Sequence, residues 1–357
     1  MEAASRSYRT TIACDPKHAE AHCNLGHALL RQGQFRAGLE NLQRGHELGS
    51  KRSDWRYLSA AWVKQAQQLL TLDEKLAPIL KGDAKPADAA EHLALAHLCR
   101  QYKRFYAAAT QLYASAFAAE PTLADDLAGA HRYNAACSAA LAGAGKGLDP
   151  NRPDAKDQRR LREQALDWLR ADLDRLGSQS RAGQGTDVLL VLERLTHWPK
   201  DADLASVRDP EGLAALPAVE REAWLKLWAD VNQLRKEVRA SVMEIAFKGT
   251  LTDKESEHVH ELRPEAGKTY VIDMHSTSLD SYLKLLDAKG KVLDENDDIA
   301  PGDFDSRLIF TPKEDGTYRI VATSFQNEGR GGYTLTIRVI NPQSRRGERP
   351  DGVPPRR

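Results

Sequence analysis

The sequence predicts a multidomain chain: an all-α helical repeat array over residues 1–240, followed by an all-β sandwich over residues 246–340. Three observations point there. Ala, Leu, Gln and Arg dominate the first part, whereas Thr, Val, Ile, Tyr, Gly and Asp dominate from about Phe247 onward. Apolar residues recur at helical spacing in the first part and alternate in the second, most clearly at Tyr333, Leu335, Ile337 and Val339. A length of 357 residues also exceeds what one ordinary core serves and suits two or three domains.

Taken in chain order, Tyr8, Ile12 and the closing Asp15-Pro16 read as a helix and its stop. Ala21–Leu30 reads as the next helix, Gly33 as a turn, and Phe35–Leu42 as a third. Gly26 and Gly38 are expected to let this pair approach closely, while Leu25, Phe35 and Leu42 fill its seam. Asp54–Leu80, with Trp55, Trp62, Leu69 and Leu76, reads as one long amphipathic helix or a helix pair. A second pair spans about 89–121, with Leu93, Leu95, Ala96 and Leu98 on its first helix and Phe105, Ala108, Leu112 and Phe117 on its second. A third spans about 130–176. It begins at Tyr133-Asn134-Ala135-Ala136-Cys137 and resumes at Leu161–Leu176 after a Gly/Pro/Asp-rich insertion at Gly143–Asp157. Leu189–Trp198 and Ala218–Val238 are expected to close the array, with Trp224 and Trp228 in the core.

The pair at about 19–50 resembles the tetratricopeptide-repeat family, which implies a stacked array whose curved face holds a protein or peptide partner. It departs from that pattern at His22, Gly45 and Ser50, where an aromatic residue, an Ala and a Pro are usual. The helix before it looks like the second half of a previous repeat, so the chain is expected to be a fragment or the end of a longer polypeptide. Three stretches resemble the helical tails of planctomycete-type serine/threonine protein kinases. They are Trp62–Ala66, Tyr133–Cys137, and Asp201–Asp209 with Leu225–Val231. The resemblance implies an ancestral tie to a kinase. Kinase activity is not expected, because no phosphate-cradling Gly-rich strand, catalytic loop or D-F-G is found.

In the second part, short strands recur every 8–12 residues or so with Asp-Gly and Lys-Gly turns between them, a sandwich pattern. Gly249-Thr250-Leu251, Gly267–Tyr270, Leu279–Leu285, Gly316–Ile320 and Gly332–Ile337 resemble the bacterial pre-peptidase C-terminal family. The resemblance implies a jelly-roll-like sandwich of a kind that usually accompanies secreted enzymes. The tail at 341–357, rich in Arg and Pro, is expected to be disordered.

Lys plus Arg and Asp plus Glu both number 51, so no overall field favours nucleic acid or an anionic membrane. The longest apolar stretch, Asp187–Leu195, falls short of the roughly 20 residues a membrane helix needs. The N-terminus shows no basic start followed by an apolar core, which predicts a cytoplasmic protein. Cys14, Cys23, Cys99 and Cys137 have no metal-finger spacing and are expected to be free thiols.

Two groups carry candidate metal chemistry. Asp294, Asp297, Asp298, Asp303 and Asp305 share one loop with Glu295, Asn296 and Gly302 and offer oxygen ligands of the kind calcium takes, against the plain reading of a solvated acidic loop. His258 and His260 lie on one strand face and would need a further ligand. Ser276, Ser278 and Asp280 lie near His275 without a nucleophile-elbow pattern, so no catalytic residue is expected. The sequence therefore predicts a non-catalytic interaction or scaffold protein with no obligatory cofactor. The alternatives are a regulatory part of a serine/threonine kinase, or an extracellular adhesion or carbohydrate-binding protein.

Overall fold

The computed structural model describes residues 2–182, 185–300 and 302–340; the expected disordered tail at 341–357 lies outside the described residues. Among the described residues, twelve α-helices precede eight β-strands. The helices are α1 (Glu2–Cys14), α2 (Ala19–Arg31), α3 (Phe35–Gly49), α4 (Ser59–Lys81), α5 (Ala89–Leu98), α6 (Tyr106–Ala119), α7 (Thr122–Asp125), α8 (His131–Gly143), α9 (Ala155–Ala182), α10 (Gly185–His197), α11 (Pro210–Ala214) and α12 (Ala218–Ala240). The strands are β1 (Val242–Leu251), β2 (Glu257–Leu262), β3 (Tyr270–His275), β4 (Ser281–Leu286), β5 (Val292–Asn296), β6 (Ser306–Phe310), β7 (Tyr318–Ser324) and β8 (Gly331–Ile340). They form two compact units. One holds residues up to Leu173 together with Asp201–Leu227; the other holds Asp174–Lys200 and the chain from Trp228 onward.

In the first unit, local chemistry sets the helix ends. His18 Nδ1 accepts the Ala21 N–H at 3.2 Å and starts α2. Gly33, at φ +75°, turns the chain into α3. The α4 helix ends on Gly82 at φ +84°, whose N–H donates to the Ile79 carbonyl while Asp83 N–H donates to Pro78, closing the last carbonyls. At α5, Asp88 Oδ1 accepts the Glu91 N–H at 2.8 Å and Glu91 Oε2 accepts the Ala87 N–H at 2.6 Å, a reciprocal cap. The α5 helix runs on through a π-helical turn, Cys99–Lys103, stopped by Arg104 in the left-handed region. No side chain of its own N-cap residue, Phe105, closes α6. The carboxylate of Asp149, 7% exposed, does so from the insertion, accepting the N–H of Ala108 at 3.0 Å and of Ala107 at 3.3 Å. The insertion, which follows α8, is thus tied back onto α6.

One apolar core joins α2 to α8 through Phe35, Leu42, Leu69, Leu95, Leu98, Cys99, Leu112 and Ala135. Asp54–Leu80 proves to be a single helix, α4, that starts only at Ser59. The Trp224 ring is fully buried in this unit, its indole N–H without a partner among the described residues.

The strands of the second unit form two four-stranded antiparallel sheets ordered β1-β8-β3-β6 and β2-β7-β4-β5. The pairs β1–β8, β2–β7, β3–β6 and β4–β5 are nested in sequence, so one long folded ribbon wraps into both sheets. That is the jelly-roll order. Leu251, Ile272, Met274, Leu283, Leu285, Ile320, Leu335 and Ile337 fill the space between the sheets.

No linker separates the last helix from the first strand. The helix ends at Ala240, Ser241 is buried with its hydroxyl donating to the Val238 carbonyl at 2.8 Å, and β1 starts at Val242, ahead of the expected residue 246. Val242 to Ala246 already pair with Ile340 to Thr336, and this ladder fixes them as strand. On the far side of β8, Asp273 accepts from Arg307 Nε at 2.5 Å and from Arg338, and both arginines reach Glu193 of α10. The α10 helix is therefore pinned to the sheet by charge.

Candidate functional site

The repeat helices set up the first candidate surface. Along the α2–α3 seam Leu25, Phe35 and Leu42 are buried, and the backbones touch through glycine. A Cβ on Gly26 would stand 2.6 Å from Leu42 Cγ and 2.9 Å from the Gly38 carbonyl oxygen; one on Gly38 would meet Leu30 at 2.7 Å. Gly45 has the same reason. Its Cβ would lie 2.4 Å from Cys23 Sγ, so the Ala usual in the repeat is excluded here by the cysteine opposite. In the next pair Ala96 is fully buried, Ala108 and Leu112 are nearly so, and Phe105 packs partly buried against the same core.

Between α3 and α4 an aromatic cluster reaches the surface. The Trp55 ring lies on Gly49, where a Cβ would come within 2.4 Å of it, and its indole N–H donates to Ser59 Oγ at 2.9 Å. Arg52 sits over that ring at 5.6 Å and is held by Glu20 at 2.7 Å and Asp54 at 2.8 Å. Tyr57 packs edge-on to Trp55 at 4.8 Å, and Trp62 packs edge-on to His27 of α2 at 4.8 Å. Burial, reinforced by Arg31, holds the His27 imidazole below the usual histidine range. Tyr57 is 55% exposed and Leu58 70% exposed, so a braced aromatic platform ends in two bare apolar side chains.

Tyr133–Cys137 of α8 and the turn at Asp201 meet in the first unit. Tyr133 O–H donates to Asp201 Oδ2 at 2.7 Å, Cys137 Sγ lies 3.9 Å from the same oxygen, and Arg100 Nη2 reaches Asp203 Oδ2 at 2.6 Å. Among the described residues, Cys137, Asp201 and Asp203 are the one group of three metal-type ligands within 4.8 Å. Arg100 already supplies the cation there. Burial raises the Cys137 thiol and the Tyr133 phenol, and it raises the Asp203 carboxyl against the pull of Arg100. The cluster fastens the Asp201 turn to α8.

In the sandwich, the five loop aspartates do not converge. Asp305 accepts from His275 Nδ1 at 2.6 Å and from the Ser276 N–H at 3.2 Å. Asp294, Asp297 and Asp303 accept nearby backbone N–H groups at 3.0–3.2 Å. The carboxylate the acidic-loop reading missed is Asp280, whose position outside the loop gives no sequence signal. Its Oδ1 is buried with no hydrogen-bond partner among the described residues. Burial raises its carboxyl, and the charges of Asp298 and Asp297 add to the rise; burial likewise raises Asp298, followed by Asp297 and Asp303. The charges of Asp297 and Asp298 thus act on the Asp280 carboxyl, without the three closing into one group within 4.8 Å.

His258 and His260 both point inward and meet on one hydroxyl. His258 Nδ1 lies 2.8 Å and His260 Nε2 3.2 Å from Tyr333 Oη, and burial pushes that phenol up to about 12. One proton on the phenol serves one imidazole, so the other imidazole must donate. Burial, then the charge of His258, holds His260 below the usual histidine range.

A tetratricopeptide-repeat family profile matches residues 7–40, a span that begins in α1, covers α2 and ends in α3. Comparison with curated proteins yields no match. Among solved structures, the pre-peptidase C-terminal domain of a collagenase from Bacillus anthracis aligns at 18% identity and a TM-score of 0.23, over 27% of this chain and 89% of that one. PliG of Aeromonas hydrophila, a periplasmic inhibitor of g-type lysozyme, aligns at 15% identity and a TM-score of 0.22, over 28% of this chain and 86% of that one. The jelly-roll assignment rests on the strand order itself. No described helix is long and apolar enough to cross a membrane.

Proposed function

We propose that the chain is a protein-interaction module whose helical part takes a peptide or partner domain on the surface of α2, α3 and α4. The observation that carries this reading is the braced aromatic cluster ending in exposed Tyr57 and Leu58. Aromatic residues with an arginine over them, held rigid before binding, are the side chains from which interface hot spots are built. The repeat match at residues 7–40 supports the same reading, because such repeats bury their seams against neighbours and leave helix faces for partners. The test is quantitative co-purification from the source cell with the wild type and Tyr57→Ser/Leu58→Ser. Losing a hot spot of about 2 kcal/mol weakens binding roughly thirtyfold, so a partner held by this surface drops out with the variant. An unchanged partner set would overturn the reading.

A second reading concerns the sandwich: calcium draws Asp280, Asp297 and Asp298, which do not stand within 4.8 Å of one another as a group, onto one ion. The buried, unpartnered Asp280 Oδ1 favours it, since a hard cation would satisfy that oxygen and relieve the mutual repulsion. Calcium titration of the wild type is expected to raise the melting temperature of the β domain saturably, and Asp280→Asn to abolish the rise. A melting temperature indifferent to calcium sinks this reading.

A further inference from the structure

Within the second unit, α10 and α12 enclose an open cleft of about 520 Å³. From α12 come Asn232, Arg235, Lys236 and Arg239, whose spacing puts all of them on one helix face. From α10 come Leu192, 8% exposed, and Thr196, whose hydroxyl already donates to the Leu192 carbonyl at 2.7 Å. The cleft therefore has an apolar floor and a basic wall.

The charges on that wall are unevenly matched. Arg239 is paired with Glu244 at 3.2 Å and lies in the last turn of α12, where a cation also suits the helix dipole. Arg235 and Lys236 stand before that turn. Among the described residues neither makes an ion pair, and the Asn232 amide makes no hydrogen bond. The acid on the neighbouring helix, Glu193, is taken by Arg307 and Arg338, and Glu237 accepts from Gln233. Like charges one turn apart on a helix destabilise it.

We propose that this cleft binds a phosphomonoester, with the phosphate between Arg235 and Lys236 and its organic part over Leu192. A phosphomonoester carries about −1.5 to −2 charges at pH 7, which matches the two cations left without a counterion. Arginine's planar fork suits bidentate contact with phosphate oxygens, and the Asn232 amide adds a donor beside it. The volume lies in the ordinary range of small-ligand sites, roughly 300–1,000 Å³.

The experiment is calorimetric titration of the full chain with phenyl phosphate, inorganic phosphate and benzoate, in about 0.15 M salt so that unscreened surface attraction does not dominate. Phenyl phosphate is expected to bind one to one, and more tightly than either other probe. Arg235→Ala/Lys236→Ala is expected to weaken it at least about tenfold, as loss of charge-assisted hydrogen bonds should. The charge-matched control, Lys64→Ala/Lys254→Ala, removes two exposed cations elsewhere and should leave binding unchanged. Circular dichroism melts of both variants separate lost binding from lost folding. Two further arms name the source of the ester: glucose 6-phosphate for a free metabolite, and a phosphoserine decapeptide for a modified protein. No saturable binding of phenyl phosphate, or equal binding by a folded Arg235→Ala/Lys236→Ala, would overturn the proposal.

Discussion

Two residue-scale arrangements set measurable stabilities. Gly26 touches the Gly38 carbonyl and Leu42, so Gly26→Ala forces two backbones apart rather than one side chain aside. The overpacking costs about 1–3 kcal/mol and outweighs the roughly 1 kcal/mol that alanine gains in helix propensity. Urea melts should show the variant less stable; an equal or higher midpoint would mean that the seam yields. The histidine pair predicts a pH effect. The folded-state pKa of His260 is lowered, so the unfolded chain binds more protons and stability falls as pH drops through the unfolded value near 6.5. His27 and His97 are lowered too and act in the same direction. The wild type should therefore melt earlier at pH 5.5 than at 7.5, and His260→Gln should flatten part of that slope. The raised carboxyls of Asp280 and Asp298 act oppositely, gaining stability on acidification in the carboxylate range below this window.

At the scale of elements, the insertion between α8 and α9 has its own role. Composition alone reads Gly143–Asp157 as a loose connection, because Gly, Pro and Asp all favour turns. Asp149 turns that loop into the missing cap of α6, a partnership 41 residues away in sequence that no local pattern reveals. Asp149→Ala should destabilise the helical unit by about 1–2 kcal/mol, as capping losses do. Asp149→Asn should recover part of this, since its amide oxygen still accepts the Ala108 N–H while its NH2 cannot accept that of Ala107. Thermal melts of the two variants decide it, and an Asp149→Ala protein as stable as wild type would show that the cap is dispensable. The repeat helices were readable because their apolar spacing and turn glycines are local signals.

For the whole molecule, the strand ladder decides where the sandwich begins. A fragment from Phe247 to Ile340 lacks Val242–Ala246, which pair with Thr336–Ile340 at the edge of the first sheet. A fragment from Ser241 keeps that ladder. Both are expected to melt cooperatively, because the inter-sheet core from Leu251 to Ile337 is intact in each, but the longer one at higher temperature. Calorimetry with coincident midpoints for the two would show that the first half of β1 adds nothing. The boundary expected at residue 246 followed the change in composition. The ladder extends earlier because Met243, Glu244 and Ala246 suit a helix by local propensity, and only their partners make them strand.

The sequence by itself determined the class of each half and the glycine-lined repeat seam, since 3.6-residue and two-residue periodicities are written locally. It also marked the acidic loop and the paired histidines as chemistry-bearing residues. Only the tertiary structure decided what those groups meet. It put His258 and His260 on the Tyr333 hydroxyl, took Asp305 away to His275, and brought in Asp280 from outside the loop. It joined Tyr133, Cys137 and Asp201 into one buried cluster, and grouped α10 with the strands through Glu193, Arg307 and Arg338. Each of these depends on residues far apart in sequence, where burial and charge pairing across the fold, rather than local periodicity, select the partner.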